Sequence, residues 1–376
     1  MKRWTALLLA AVILFLCACT GGGQKTASGT TWVTFTEVEE RVKNEENKDI
    51  FVYSYQQPVV SGTSDAIHMI NTKLNNSTSA FVYGSGGVEE MTELAKMDWK
   101  EVWFTCYALN RKVSVARVDD AVVSFRYSDY VFNGGMHGYT AEFGMTYDMT
   151  SGEQMSLASL TSNEWGLKEV CRQHISAYLA SEEFPHKDGL LDDYEQYLDS
   201  VLKNWVLTEE GLQFIAQPYI ISAYALGTLR FTVPYSKVAH ILDKKWLPEE
   251  KGHGGGTIEL LAIGAESPAA KNFVFDPAGE SLLLKANGTI YDFSLEQVNS
   301  YKQNGKTVFY IVKQLLYSPR IASESIGLQV NVPEGIPSTL LWYRDGSGNE
   351  YQYLIGYNGR DGGVSLVEPD NYISRN

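Results

Sequence analysis

The sequence predicts an α+β protein: antiparallel sheets with packed helices, followed by an all-β C-terminal domain of β-sandwich type. Three observations carry that expectation. Alternating strand-like runs are interleaved with helical periodicity up to about Leu242, strand-length runs alone recur after Thr257, and a charged, glycine-rich stretch, Asp243 to Gly256, lies between them. Periods of two and of about 3.6 residues distinguish the two kinds of element.

The elements follow in order. Trp32–Val38 and Asp49–Val60 alternate as strands around the polar turn Lys43-Asn44-Glu45-Glu46-Asn47-Lys48. Ser64 and Asp65 open a helix whose apolar positions Ile67, Ile70, Leu74 and Phe81 keep helical spacing, and a second helix is expected over Val88–Met97. Strands are expected at Glu101–Ala108, Lys112–Asp119, Ala121–Phe132 and Tyr139–Asp148, then helices at Glu164–Ser181 and Leu190–Trp205. Val206–Gln217, turning at Thr208-Glu209-Glu210-Gly211, and Leu229–Pro234 read as strands. Beyond Thr257 the strand-like runs are Ile258–Ile263, Ser281–Ala286, Thr307–Leu316, Gly327–Val332, Thr339–Arg344 and Tyr351–Tyr357.

The N-terminus addresses the chain. Lys2 and Arg3 precede a short apolar run, and Leu16-Cys17-Ala18-Cys19 ends it in the pattern cleaved before a cysteine that is then lipidated. About a dozen apolar residues are too few to span a hydrocarbon core of roughly 30 Å. The expected division is therefore a signal peptide over 1–18, a flexible tether over 19–31, an α+β module over 32–130, a second module over 131–242, a linker over 243–256 and a β-sandwich-like domain over 257–376. The expected location is extracytoplasmic, with the membrane reached through lipid on Cys19.

Composition narrows the partners. The chain is 44% hydrophobic and 20% charged, which are globular values. Removing Lys2 and Arg3 with the leader takes the net charge from −14 to −16. Such acidity disfavours nucleic acid and anionic lipid as partners and favours a cationic one. Cleavage and lipidation account for Cys17 and Cys19, leaving Cys106 and Cys171, which could pair in a compartment that is not reducing but read more readily as two small buried apolar side chains. No spacing of Cys and His suits a metal and no cofactor motif is present, so none is expected.

Three stretches then add up to a family pattern: Asn133-Gly134-Gly135-Met136-His137-Gly138 with the following Tyr147-Asp148; Leu207-Thr208-Glu209-Glu210-Gly211-Leu212; and Gln217-Pro218-Tyr219 running on to Tyr224 and Gly227. Together they resemble the extracytoplasmic domain shared by RsiV-type anti-sigma factors and PdaC-type peptidoglycan deacetylases, over roughly 32–242. The resemblance implies a receptor-like α+β module and, in its RsiV branch, binding of lysozyme, a basic protein. The deacetylase's Asp-Asp and His-x-x-x-His metal ligands are absent, so the resemblance implies its binding part and not its catalytic domain.

The candidate ligand-binding or loop-structuring residues are His137, Gly134, Gly135, Gly138, Gln217, Tyr219 and Tyr224. His137 lacks an identifiable nucleophile or metal partner in the sequence, which favours a loop-fixing role over acid–base catalysis. The expected function is binding of a basic protein such as lysozyme or of a peptidoglycan fragment, without catalysis. The alternative is a wall-acting hydrolase pairing His137 with Asp148 or a neighbouring carboxylate. Two other motifs carry no chemistry: His253-Gly254-Gly255-Gly256 lacks a nucleophile elbow, and Asp345-Gly346-Ser347-Gly348-Asn349 reads as a hairpin turn rather than a calcium loop.

Overall fold

The computed structural model describes residues 30–249, 252, 254–264, 269–357 and 363–374. The leader, Cys19, most of the tether and His253 lie outside them.

The first hairpin joins β1 (Val33–Lys43) antiparallel to β2 (Asp49–Val60), with Val33 opposite Val60. Ser64 then caps α1 (Asp65–Tyr83) by accepting from the Ile67 amide at 3.2 Å, and α2 (Val88–Asp98) follows. α1 lays Ile70 and Leu74, both fully buried, against Val113, Phe125 and Tyr147 of the sheet. Next come β3 (Tyr107–Val118), β4 (Val122–Phe132) and β5 (Tyr139–Asp148). Because two helices intervene, β3 lies parallel to β2, whereas β4 and β5 continue antiparallel.

A second layer forms around α3 (Glu164–Ala180), capped by Asn163, whose side chain accepts from Gly166 N at 3.0 Å. Its buried stripe of Leu167, Cys171, Ile175 and Leu179 packs on a small sheet of β6 (Trp205–Leu207), β7 (Gly211–Ala216) and β8 (Leu229–Pro234). The Thr208 hydroxyl shapes the turn between β6 and β7 by accepting from the amides of Glu210 and Gly211. Arg117 anchors this layer to the first; it is fully buried and donates to the Tyr235 hydroxyl and the Trp246 carbonyl, each at 2.7 Å.

The C-terminal part is all-β. β9 (Thr257–Ile263), β10 (Lys271–Val274), β11 (Glu280–Asn287) and β14 (Ser325–Val330) make a four-stranded sheet in the order β10-β14-β11-β9. Its inner face, with Leu282, Leu284 and Leu328, meets Phe293, Leu295, Leu316 and Leu341 in one core. Those partners come from β12 (Thr289–Gln303), β13 (Lys306–Ala322) and β15 (Thr339–Asp345), which continue into β16 (Glu350–Tyr357) and β17 (Val364–Val367). β13 also pairs with β1, Val33 opposite Tyr317, so one ten-stranded sheet runs β17-β16-β15-β12-β13-β1-β2-β3-β4-β5 across the 243–256 segment. Among the described residues no helix is long and apolar enough to cross a membrane.

Three local expectations are corrected. The strand placed at Glu101–Ala108 starts only at Tyr107; the preceding residues make successive turns, Glu101 N on Asp98 O and Phe104 N on Glu101 O, leaving Val102 fully exposed. The helix placed at Leu190–Trp205 breaks into short turns, because Leu191 N bonds Ile221 O and Leu190 bridges Ser222, tying the segment to another stretch of chain. The long strand β12 was not expected at all. Its register slips between Tyr291 and Ser294, again after Leu295 and again after Gln297, so its buried residues Ile290, Phe293, Leu295 and Val298 lose a period of two.

Candidate functional site

Glycine loop and aromatic ladder meet at the end of the ten-stranded sheet where β5 begins. Gly134 (φ 106°) and Gly135 (φ 87°) adopt left-handed backbone that L side chains disfavour. Gly138 is required by contact instead: a Cβ there would lie 2.4 Å from the Tyr130 ring. The loop so formed lifts Met136 fully into solvent and carries His137 beside it.

His137 stacks on Tyr224 with ring centroids 4.1 Å apart, and Tyr224 stacks on Tyr219 at 5.6 Å. The Tyr224 hydroxyl donates to the Gly138 carbonyl at 2.5 Å, and His137 Nδ1 lies 3.1 Å from the same oxygen. Tyr219 is 60% exposed and holds φ at 68°, a strained conformation for a bulky side chain. On the other flank, Trp103 is also exposed and packs beside Gly134, which lies over Tyr107. The Tyr107 hydroxyl donates to Asp98 at 2.7 Å, and burial together with that bond pushes its pKa up to about 12. Trp103 beside the glycine loop, Met136 and His137 on it, and Tyr219 at the end of the aromatic stack are all exposed and make up a crest.

Gln217 works below the crest. Its Oε1 accepts from Glu142 N at 3.0 Å and its Nε2 donates to Glu142 O. Asn204 does the same one step along, accepting from Gly144 N at 3.0 Å and donating to Glu142 O at 2.8 Å. Two side-chain amides therefore occupy the open edge of β5 in place of a further strand. The Glu142 carboxylate is held by Arg230, whose Nε and Nη2 donate to its two oxygens at 2.9 and 2.8 Å.

All seven expected residues lie in this one region, with Tyr219, His137 and the glycines at its surface and Gln217 and Tyr224 supporting it. Asp148 does not join them. It sits at the opposite end of β5, roughly 30 Å away at the rise of a strand, where Oδ1 accepts from Thr150 N at 2.7 Å. Among the described residues no carboxylate is within hydrogen-bond distance of His137, and no three His, Cys, Asp or Glu side chains converge on a metal site. Asp345 Oδ1 likewise accepts from the Ser347 and Asn349 amides in a hairpin turn. Asn204, Glu142 and Arg230 were missed by the sequence reading, since their partnership rests on contacts between distant segments. Met136 had a signal, a large apolar residue within a glycine loop, whereas Trp103 lies in a stretch that reads as a strand.

Comparison with known families adds two matches. Residues 44–140 match the model for the deacetylase PdaC, and residues 163–236 match that for DUF3298, a protein family of unknown function. Two crystal structures are similar in part. A DUF3298 family member from Bacteroides fragilis shares 17% identity, over 56% of this chain and 93% of that one, with a TM-score of 0.43. A DUF3298 family protein from Pseudomonas aeruginosa PAO1 shares 14% identity, over 59% of this chain and 98% of that one, with a TM-score of 0.41. No curated protein matches the chain.

Proposed function

We propose that this chain is an extracytoplasmic, lipid-anchored binding protein that docks a basic protein on the crest formed by Trp103, Met136, His137 and Tyr219, with lysozyme the first ligand to try. The observation that carries the reading is the crest itself. Large apolar side chains are held out in solvent on a loop and a strained turn that the fold braces from below. Contiguous exposed aromatics of this kind mark interaction surfaces, because they bury much area at small entropic cost.

The likeness to PdaC and DUF3298 supports a role at the cell envelope. The RsiV-type pattern supports lysozyme, and the net charge of −14 supports a cationic partner. Catalysis by His137 is the weaker reading, since its ring contacts are the Gly138 carbonyl and Tyr224.

The test is binding of the purified protein to lysozyme and, separately, to soluble peptidoglycan fragments, with and without Trp103→Ser and Met136→Ser. Retention of lysozyme that falls in the double variant supports the reading. Retention of wall fragments alone would transfer the crest to a saccharide ligand. Wall hydrolysis lost in a folded His137→Ala variant would replace the reading with an enzymatic one.

A further inference from the structure

The core between the two C-terminal sheets opens at one end into a cleft, and β12 runs out through it. From Phe293 onward, alternate residues of β12 share one face. Phe293 and Leu295 are fully buried in the core, Gln297 is half-buried at its mouth, and Asn299 and Tyr301 stand exposed beyond it. Register continues that face across the hairpin, with Lys313 opposite Gln297, Tyr310 opposite Asn299 and Val308 opposite Tyr301. β15 leaves β12 at Gln297, and β1 pairs with β13 only at Leu316 and Tyr317. Beyond Val298 the two strands therefore pair only with each other, as an arm leading away from the mouth.

The cleft has a volume of about 760 Å³, in the range of small-ligand sites. Phe273 of edge strand β10 and Phe275 just past it wall one side, both half-buried, with ring planes 18° apart. Three charged side chains line the cleft, and none is a free cation. Lys313 is paired with Glu37, and Asp276 Oδ1 accepts from the Ala278 amide at 2.9 Å. The remaining polar groups are neutral. The side chains of Gln297 and Asn331 form no hydrogen bond among the described residues, and Thr36 and Ser338 add hydroxyls. Out on the arm, Tyr301 and Tyr310 are 49% and 45% exposed, with ring centroids 6.2 Å apart. Aromatic rings and neutral amides thus share one continuous surface.

We infer that this cleft and the arm beyond it bind a neutral oligosaccharide. A pyranose ring has an apolar C–H face and a rim of hydroxyls, which need an aromatic face and groups that both donate and accept. Phe275, Tyr301 and Tyr310 supply the first at small entropic cost, and the amides of Gln297, Asn299 and Asn331 supply the second. Gln297 to Tyr301 covers about 13 Å at the rise of a strand, which suits a chain of sugars rather than a single one. The site contains no residue of the crest or of its supports, and its ligand is neutral where the crest's is basic.

The experiment is calorimetric titration of the purified protein with tetra-N-acetylchitotetraose, with cellotetraose, which lacks the acetamido groups, and with a neutral hexapeptide of threonine and alanine. The expected result is binding of one or both oligosaccharides and not of the peptide, at an affinity that holds as salt is raised, because no charge is neutralised. Tyr301→Ser with Tyr310→Ser should weaken binding by roughly tenfold or more, as for the loss of buried aromatic area. Gln297→Ala should weaken it too. Both variants should keep the urea midpoint, since the tyrosines are exposed and the amide is unbonded, which separates loss of a ligand contact from misfolding. Binding of cellotetraose as tight as that of the chitin fragment would show that ring faces and hydroxyls suffice. Binding of the peptide in place of both sugars, failure of all three to bind, or unchanged affinity in both variants would overturn the inference. Tyr219→Gly, on the crest, should leave this titration unaltered, so the two sites fail or stand separately.

Discussion

Gln56 and Gln314, far apart in the chain, meet in an amide contact between its two halves. Gln56 Nε2 donates to the Gln314 carbonyl at 3.0 Å. Each side-chain oxygen then accepts from β3, Gln56 from Val113 N at 3.0 Å and Gln314 from Val115 N at 2.9 Å. Both glutamines are buried. They fill the fork where β1 and β2 diverge from β13 and supply β3 with acceptors that no adjacent strand provides there.

Replacing Gln56 by Leu should therefore leave Val113 N and the Gln314 carbonyl buried without partners. The expected cost is about 1–3 kcal/mol, read as a lower urea midpoint at an unchanged slope. A loss near zero would mean that water takes the place of the amide.

Cleavage near Glu249–Gly256, expected from its charge and glycine, should not release two fragments. The β1–β13 pairing and the Gln56–Gln314 contact hold the parts together, as does Gly346 N on Gly254 O at 2.8 Å. The nicked protein should elute as one species in gel filtration and separate only in denaturant.

Much of this was readable from residue patterns, and the failures have physical causes. Helices α1 and α3 were legible because cap and apolar stripe agree. The glycine loop and the Gln217-Pro218-Tyr219 segment pointed to one region because positive φ and a missing amide hydrogen restrict where such residues can sit. β12 was hidden by its register slips, which erase alternation. The Asn204 and Gln217 clamp on β5 was hidden because a side-chain amide standing in for a strand leaves no periodic trace.

At Tyr219, conformational strain and binding should separate. Tyr219→Gly removes a left-handed tyrosine whose backbone costs roughly 1–2 kcal/mol, offset in part by glycine's greater unfolded freedom. The melting temperature should hold or rise while ligand affinity falls. A fall in both would make Tyr219 a structural residue alone.

Alkaline pH should weaken the fold. Burial pushes Tyr147 and Tyr235 up to about 12, above the ordinary tyrosine value near 10. The unfolded chain therefore releases protons that the folded one keeps, and the stabilisation present below pH 10 is lost as pH rises toward 12. Absorbance titration should show these tyrosines ionising late, together with unfolding. Burial likewise pushes the Cys171 thiol up to about 12, so it should react with a thiol reagent only after denaturation.

The most direct test of the binding account is the association rate of lysozyme with the immobilised protein as salt is raised. The Debye length shrinks from about 30 Å at 0.01 M to about 8 Å at 0.15 M. An acidic receptor for a basic protein should associate fast at low salt and more slowly at 0.15 M, while Trp103→Ser with Met136→Ser should chiefly speed dissociation. Absence of lysozyme binding at 0.01 M salt, or binding that the double variant leaves unchanged, would contradict it.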